Sequence, residues 1–237
     1  FIDFKKKLST ELLDNLITSL LHRGPDDNGK YFQIADNYNL GIGHTRLSIQ
    51  DPTPNGKQPM QYNNITISYN GEVYNFKLIK KELLNNGYNF STNTDTEVIL
   101  KSYDFWGIKF VNKLNGIFAI SIFDKQKKKI YLIRDRLGVK PIYWYFDGFT
   151  MIYGSELKIF KQINSINKKV SNAALNSYFK YGYVPEPYSI LENIYKLQAG
   201  SIAEFNIGNK NLEIKKYWDI DFNSTQSKRN EEKNVLN

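Results

Sequence analysis

Three short segments gather polar and charged side chains at the ends of apolar runs: Gly43-His44-Thr45-Arg46-Leu47-Ser48-Ile49, Tyr69-Asn70-Gly71-Glu72 and Thr94-Asp95-Thr96-Glu97. Arg46 offers a planar fork that suits a carboxylate held by two parallel hydrogen bonds. Glu72 and Asp95 are two carboxylates that together could receive one ammonium. A cation opposite an acidic pair matches the two charged ends of a free α-amino acid. Asn70 and Gly71 add a side-chain amide N–H and a main-chain N–H, and two such donors converging on one point make an oxyanion hole. They are expected at a sharp turn closing a strand, where glycine permits close approach. Each segment alone also has an ordinary explanation. Asn-Gly makes turns, Asp95 suits the first turn of a helix, and a strand arginine is usually paired at the surface. Glu72 and Asp95 would equally form a glycosidase acid–base pair, whose separation the sequence does not give.

The elements that must position these groups follow from periodicity. Leu12, Leu13, Leu16, Ile17, Leu20 and Leu21 recur at helical spacing, with Ser9 or Thr10 as cap and Glu11 in the first turn. The run Arg23-Gly24-Pro25-Asp26-Asp27 ends that helix in a turn. Leu40 to Ile49 predicts a strand, and Ile65 to Tyr69 a second one ending at Asn70-Gly71. Asn75 is expected to cap a helix that stops at Gly87, and Thr94 to Glu97 has the spacing of a capping box opening a third helix. Hairpins follow: Phe118 to Asp124 with Lys129 to Asp135, Ile142 to Phe146 with Phe149 to Tyr153 around Asp147-Gly148, and Ser201 to Phe205 with Leu212 to Trp218. Ser171 caps a short helix ending at Gly182. Hairpins without an alternating strand–helix pattern predict an α+β architecture of antiparallel sheets with packed helices.

Composition narrows the chemistry. The 237 residues include no cysteine, which excludes disulfides, thiolate zinc sites and cysteine catalysis by the chain's own residues. Two histidines, His22 and His44, are too few for a histidine-rich metal site, and no metal is expected. The net charge of +8 is spread among acids, and its densest run, Lys127-Lys128-Lys129, falls at a hairpin turn. It is therefore read as solvated lysines, and no nucleic-acid partner is expected. No apolar run is long enough to span a membrane.

Longer motifs run in order along the chain: His22-Arg23-Gly24-Pro25-Asp26-Asp27-Asn28-Gly29, the Arg46 segment, Gln58-Pro59-Met60, Tyr69 to Asn75, Asp95 to Ile99, Leu114 to Ala119, Arg134-Asp135-Arg136-Leu137-Gly138-Val139-Lys140-Pro141 and Gly154 to Lys158. In these the chain resembles the glutamine-hydrolysing domain of class-II glutamine amidotransferases, and within that class the asparagine synthetases. The resemblance implies the N-terminal-nucleophile hydrolase fold, an αββα sandwich of two antiparallel sheets. It implies that Arg46 binds the glutamine α-carboxylate with the main chain of Leu47, Ser48, Ile49 and Gln50 beside it. It implies an oxyanion hole from Asn70 and Gly71, and an ammonium site from Glu72 and Asp95. His44, the Arg134 to Lys140 run and Arg23 to Asp27 receive structural roles.

The family's nucleophile is an N-terminal cysteine whose α-amine acts as base. The chain is expected to start just after the segment that carries it, and so to hold the pocket without the nucleophile. Residues 1–218 are expected to be the amidotransferase domain, incomplete at its start. Residues 219–237 are read as a linker toward an ATP-dependent synthetase domain, whose Ser-Gly-Gly-x-Asp-Ser loop does not occur here. The domain itself would need no cofactor; ATP and Mg would belong to the synthetase part, which amidates aspartate. A cytoplasmic protein, with a homodimer as its assembly, completes these expectations. The alternatives are an amidotransferase with another acceptor and a cysteine-less module that binds glutamine without catalysis.

Overall fold

The computed structural model describes residues 1–48 and 53–221. In chain order the elements are β1 (Ile2–Asp3), α1 (Thr10–Thr18), β2 (Asp27–Ile34), β3 (Asn39–Arg46), β4 (Met60–Tyr62), β5 (Ile65–Val73), α2 (Phe76–Asn85), α3 (Asp95–Trp106), β6 (Gly116–Asp124), β7 (Lys129–Arg134), β8 (Tyr143–Phe146), β9 (Thr150–Gly154), α4 (Lys158–Lys161), α5 (Asn172–Tyr181), β10 (Tyr195–Lys196), β11 (Ser201–Asn206) and β12 (Asn211–Lys216). The strands form two sheets, in the orders β10-β8-β9-β1-β3-β2 and β12-β11-β7-β6-β5-β4.

Strand alternation builds the layers. In β3, Leu40 and Ile42 enter the core between the sheets, together with Phe123, Leu132 and Phe205 of the second sheet. Gly41 and Gly43 face the other way, where a Cβ would meet Leu13 and Ile17 of α1. In β5, Ile65, Ile67, Tyr69 and Val73 face α2 and α3, meeting Leu83, Val98 and Ile99. A third core joins α1 and α4 to the first sheet through Leu16, Ile152 and Phe160. Each fully buried Leu, Ile or Phe removes enough apolar surface to contribute about 1.5–3 kcal/mol. The order is helices, sheet, sheet, helices, the αββα sandwich that the resemblance implies. Among the described residues, no helix is long and apolar enough to cross a membrane.

Local signals act where they were expected to. Ser9, Thr94 and Ser171 each accept a hydrogen bond from the N–H three residues on. Asp147 Oδ1 accepts from Phe149 N and Thr150 N, and Gly148 takes φ +87°, closing the β8–β9 hairpin. Other expectations need correction. The first helix ends at Thr18, and Leu21 lies in a separate 3-10 turn, Leu21–Arg23. The strand from Leu40 ends at Arg46 rather than Ile49. Asn75 occupies the cap position of α2 without capping it: its amide donates to Lys113 O at 2.8 Å and its oxygen accepts from Asn115 N at 2.9 Å. The capping box is half formed, because Glu97 turns its carboxylate to Ser91 and Thr92. Strand β2 gave no apolar alternation. It needs none, since it is an edge strand held by its ladder with β3 from Asp27↔Arg46 to Ile34↔Asn39. Of the segment read as a linker, residues 219–221 are described and the rest lies outside the described residues.

Candidate functional site

A cavity of about 350 Å³ is lined by residues of both sheets, of α1 and of the start of α3. Two strands supply its polar walls through alternate positions. On β3, His44 and Arg46 follow Ile42 on the same face, and on β5, Ser68, Asn70 and Glu72 share a face; all five line the cavity. His44 Nδ1 and Ser68 Oγ lie 3.1 Å apart and tie the two sheets together. Burial, and then the charge of Arg46, lower the His44 pKa to about 4, so the imidazole is neutral near pH 7.

Arg46 is 7% exposed and donates from Nη1 to Thr53 O at 3.0 Å. Its guanidinium packs on Gly56. Asp95, the first residue of α3, also lines the cavity and is 5% exposed. Its Oδ2 accepts from the Tyr69 hydroxyl at 2.6 Å and from Val73 N at 3.1 Å. Burial raises the Asp95 pKa, and the Tyr69 and Val73 hydrogen bonds oppose that rise. Gln58 links the two elements beneath: its Oε1 accepts from Tyr69 N at 2.6 Å, and its Nε2 donates to Thr96 Oγ1 at 3.3 Å.

The loop leading into α3 hangs on Glu97. Its carboxylate accepts from Ser91 N at 3.0 Å and Thr92 N at 2.7 Å, and pairs with Lys101 at 2.7 Å. Burial works against the charge, yet Lys101 and the loop donors bring the pKa down to about 2. Thr94 and Asp95 are thereby held at the cavity wall.

Asn70 and Gly71 do not close a strand in a turn. They lie within β5, opposite Ala119 and Phe118 of β6, and the ladder continues to Val73. Their Asn-Gly signal is overridden by nine residues of pairing with β6. What remains of the glycine argument is close approach. Gly71 takes φ +154°, and a Cβ there would collide with Ile117 O and stand 2.7 Å from Phe118 Cα.

Arg46, Leu47, Asn70, Gly71, Glu72 and Asp95 thus meet at one cavity. Ser48 is not part of its lining; its N–H donates to Asp26 Oδ2 at 2.7 Å. Ile49 and Gln50 lie outside the described residues. Sequence reasoning missed Tyr69, Gln58, Thr96 and Lys140 as parts of this wall. Lys140 is brought there by its loop, where Asp135 accepts from the N–H groups of Leu137, Val139 and Lys140 while Arg134 Nε donates to Lys140 O. Three cations (Arg23, Arg46 and Lys140), two carboxylates (Glu72 and Asp95) and the Asn70 amide around one small volume can hold a zwitterion and polarise a carbonyl.

A family model described as "Glutamine amidotransferase domain" matches residues 1–218. The putative asparagine synthetase [glutamine-hydrolyzing] 2 of Methanocaldococcus jannaschii is 39% identical, over 92% of this chain and 45% of its own length. Asparagine synthetase [glutamine-hydrolyzing] 3 of Bacillus subtilis is 34% identical, over 93% of this chain and 36% of its own length. The chain therefore spans less than half of each of these relatives. Among solved structures, glutamine phosphoribosylpyrophosphate amidotransferase from B. subtilis aligns with a TM-score of 0.66 over 92% of this chain and 49% of its own, at 16% identity. The allosteric regulatory enzyme of purine biosynthesis aligns with a TM-score of 0.67 over 92% of this chain and 48% of its own, at 18% identity. The shared fold is that of the N-terminal-nucleophile hydrolases.

Proposed function

The chain belongs to the glutamine amidotransferase domain family, and we propose that its cavity binds free L-glutamine. One observation carries this reading: Arg46, Glu72, Asp95 and Asn70, drawn from three separate elements, line a single cavity. Arg46 takes the α-carboxylate, Glu72 and Asp95 take the α-ammonium, and Asn70 with Gly71 faces the side-chain amide oxygen. Leu47 borders the carboxylate end, and the main chain of Ser48, Ile49 and Gln50 is assigned there by the family resemblance alone.

In this reading the reaction is acyl transfer from the amide carbon to a cysteine, with release of ammonia and hydrolysis of the thioester. None of the 237 residues is a cysteine, so residues 1–237 by themselves bind glutamine without hydrolysing it. Ammonia production needs a nucleophile from outside them. The names of the relatives support the wider proposal that the ammonia serves the amidation of aspartate by a synthetase domain; the ATP and Mg of that reaction are carried into the proposal by the family resemblance alone. A cytoplasmic setting and a homodimer belong to the same proposal.

Calorimetric titration of the chain with L-glutamine tests the reading. Saturable binding without ammonia release is expected, and Arg46→Ala should weaken it about tenfold or more. With a cysteine supplied by a segment ahead of Phe1, glutamine should be hydrolysed, and Asn70→Ala should lower kcat about a hundredfold. Absence of binding, or indifference to both substitutions, would overturn the assignment.

A further inference from the structure

Tyr69 stands one position before Asn70 on β5, so its ring leaves on the opposite face, toward α3, where it is 4% exposed. Burial and then the nearby Asp95 charge push the Tyr69 pKa far above the usual range, so its hydroxyl is always a donor. That hydroxyl reaches Asp95 Oδ2 at 2.6 Å, and Val73 N reaches the same oxygen at 3.1 Å. Gln58 fixes the tyrosine's main chain from below. A buried carboxylate at the wall of a cavity needs such donors to stay charged, because burial alone favours its neutral form.

We propose that Tyr69 is a positioning residue for the ligand's ammonium, acting through Asp95, whose carboxylate it holds charged and fixed at the cavity wall. The inference rests on the glutamine reading. Besides Asp95, the charged and titratable side chains lining the cavity are Tyr69 and Glu72 from β5, Arg46 and His44 from β3, Arg23 before β2, Lys140 from the loop after β7 and Tyr153 from β9, and of these Tyr69 is hydrogen-bonded to the carboxylate. Removing the hydroxyl deletes a donor to Oδ2. Asp95 then takes up a proton at higher pH than before, and the ammonium loses its counter-charge.

The test compares L-glutamine with glutaramate, the same molecule without its α-amine, by calorimetric titration of the chain between pH 5 and 8. Tyr69→Phe should weaken L-glutamine about tenfold at pH 7 and move the acid limb of its binding to higher pH. Glutaramate affinity should not change, a selectivity that a general packing role would not produce. Equal loss for both ligands, or an unmoved acid limb, overturns the proposal. Should Tyr69→Phe not fold, Asp95→Asn serves instead: it keeps an oxygen for the hydroxyl but no charge. It must lose L-glutamine and retain glutaramate, and equal binding of both by this variant overturns the proposal as well. Failure of the unsubstituted chain to bind L-glutamine overturns the glutamine reading and this inference with it. Binding that is merely indifferent to Tyr69→Phe overturns the inference alone.

Discussion

Gly56 lies flat against the guanidinium of Arg46: a Cβ at Gly56 would overlap Nη2 and stand 2.5 Å from Cζ. The glycine therefore sets where the arginine's fork can be. The obstacle is the far end of a flexible side chain, so the backbone can accept an alanine while the fork moves aside. Gly56→Ala should leave the thermal midpoint within a few degrees and weaken L-glutamine binding about tenfold or more, as read by calorimetry. An unchanged affinity would mean that Arg46 does not hold the carboxylate.

Gly71→Ala meets a different obstacle. Its φ of +154° disfavours any L side chain, and its Cβ would press on the main chain of Ile117 and Phe118, which the ladder fixes. The substitution should cost about 2–4 kcal/mol in urea denaturation. Gly148→Ala is the control. At φ +87° with nothing within 4 Å, it should cost only about 1 kcal/mol.

Glu97 pairs with Lys101 while holding the loop before α3, and both side chains are almost fully buried. Glu97→Ala leaves an ammonium buried without its counter-ion and releases Ser91 and Thr92. A loss of about 3–5 kcal/mol is expected from chemical denaturation. Adding Lys101→Met should recover part of it, because the stranded charge is then gone.

Acid should destabilise the fold through His44. Its pKa falls from 6.5 to about 4 on folding, so between those values the unfolded chain binds more protons than the folded one. The stabilising contribution is complete above pH 6.5, shrinks as the pH falls, and is gone below about 4. Glu97 continues the trend, since its stabilisation is complete above 4.5 and is lost toward about 2. Unfolding midpoints measured from pH 7 to 4 should decline, and His44→Gln should flatten that decline. An identical slope in the variant would show that His44 does not carry it.

What the sequence made legible was local. Ser9, Thr94 and Ser171 cap helices through bonds that span three residues, and Asp147-Gly148 closes its own hairpin. What it hid depends on distant partners. Asn75 has the type and place of a cap, but Lys113 and Asn115 claim its side chain from across the chain. Asn70-Gly71 has the chemistry of a turn, but pairing with β6 keeps it extended. In the site, Arg46, Glu72 and Asp95 stood out by charge and by family resemblance. Tyr69 was read only as the end of its strand, and no role was assigned to it, because its partner lies 26 positions away.

Strand β5 turns Asn70 and Glu72 to the cavity and Tyr69 to α3. Because successive side chains point to opposite faces, gaining or losing one residue inside this strand would exchange the two sets at a stroke. The cavity would receive the tyrosine, and α3 would face an amide and a carboxylate. Substitution can therefore adjust this segment one letter at a time, while its length is frozen.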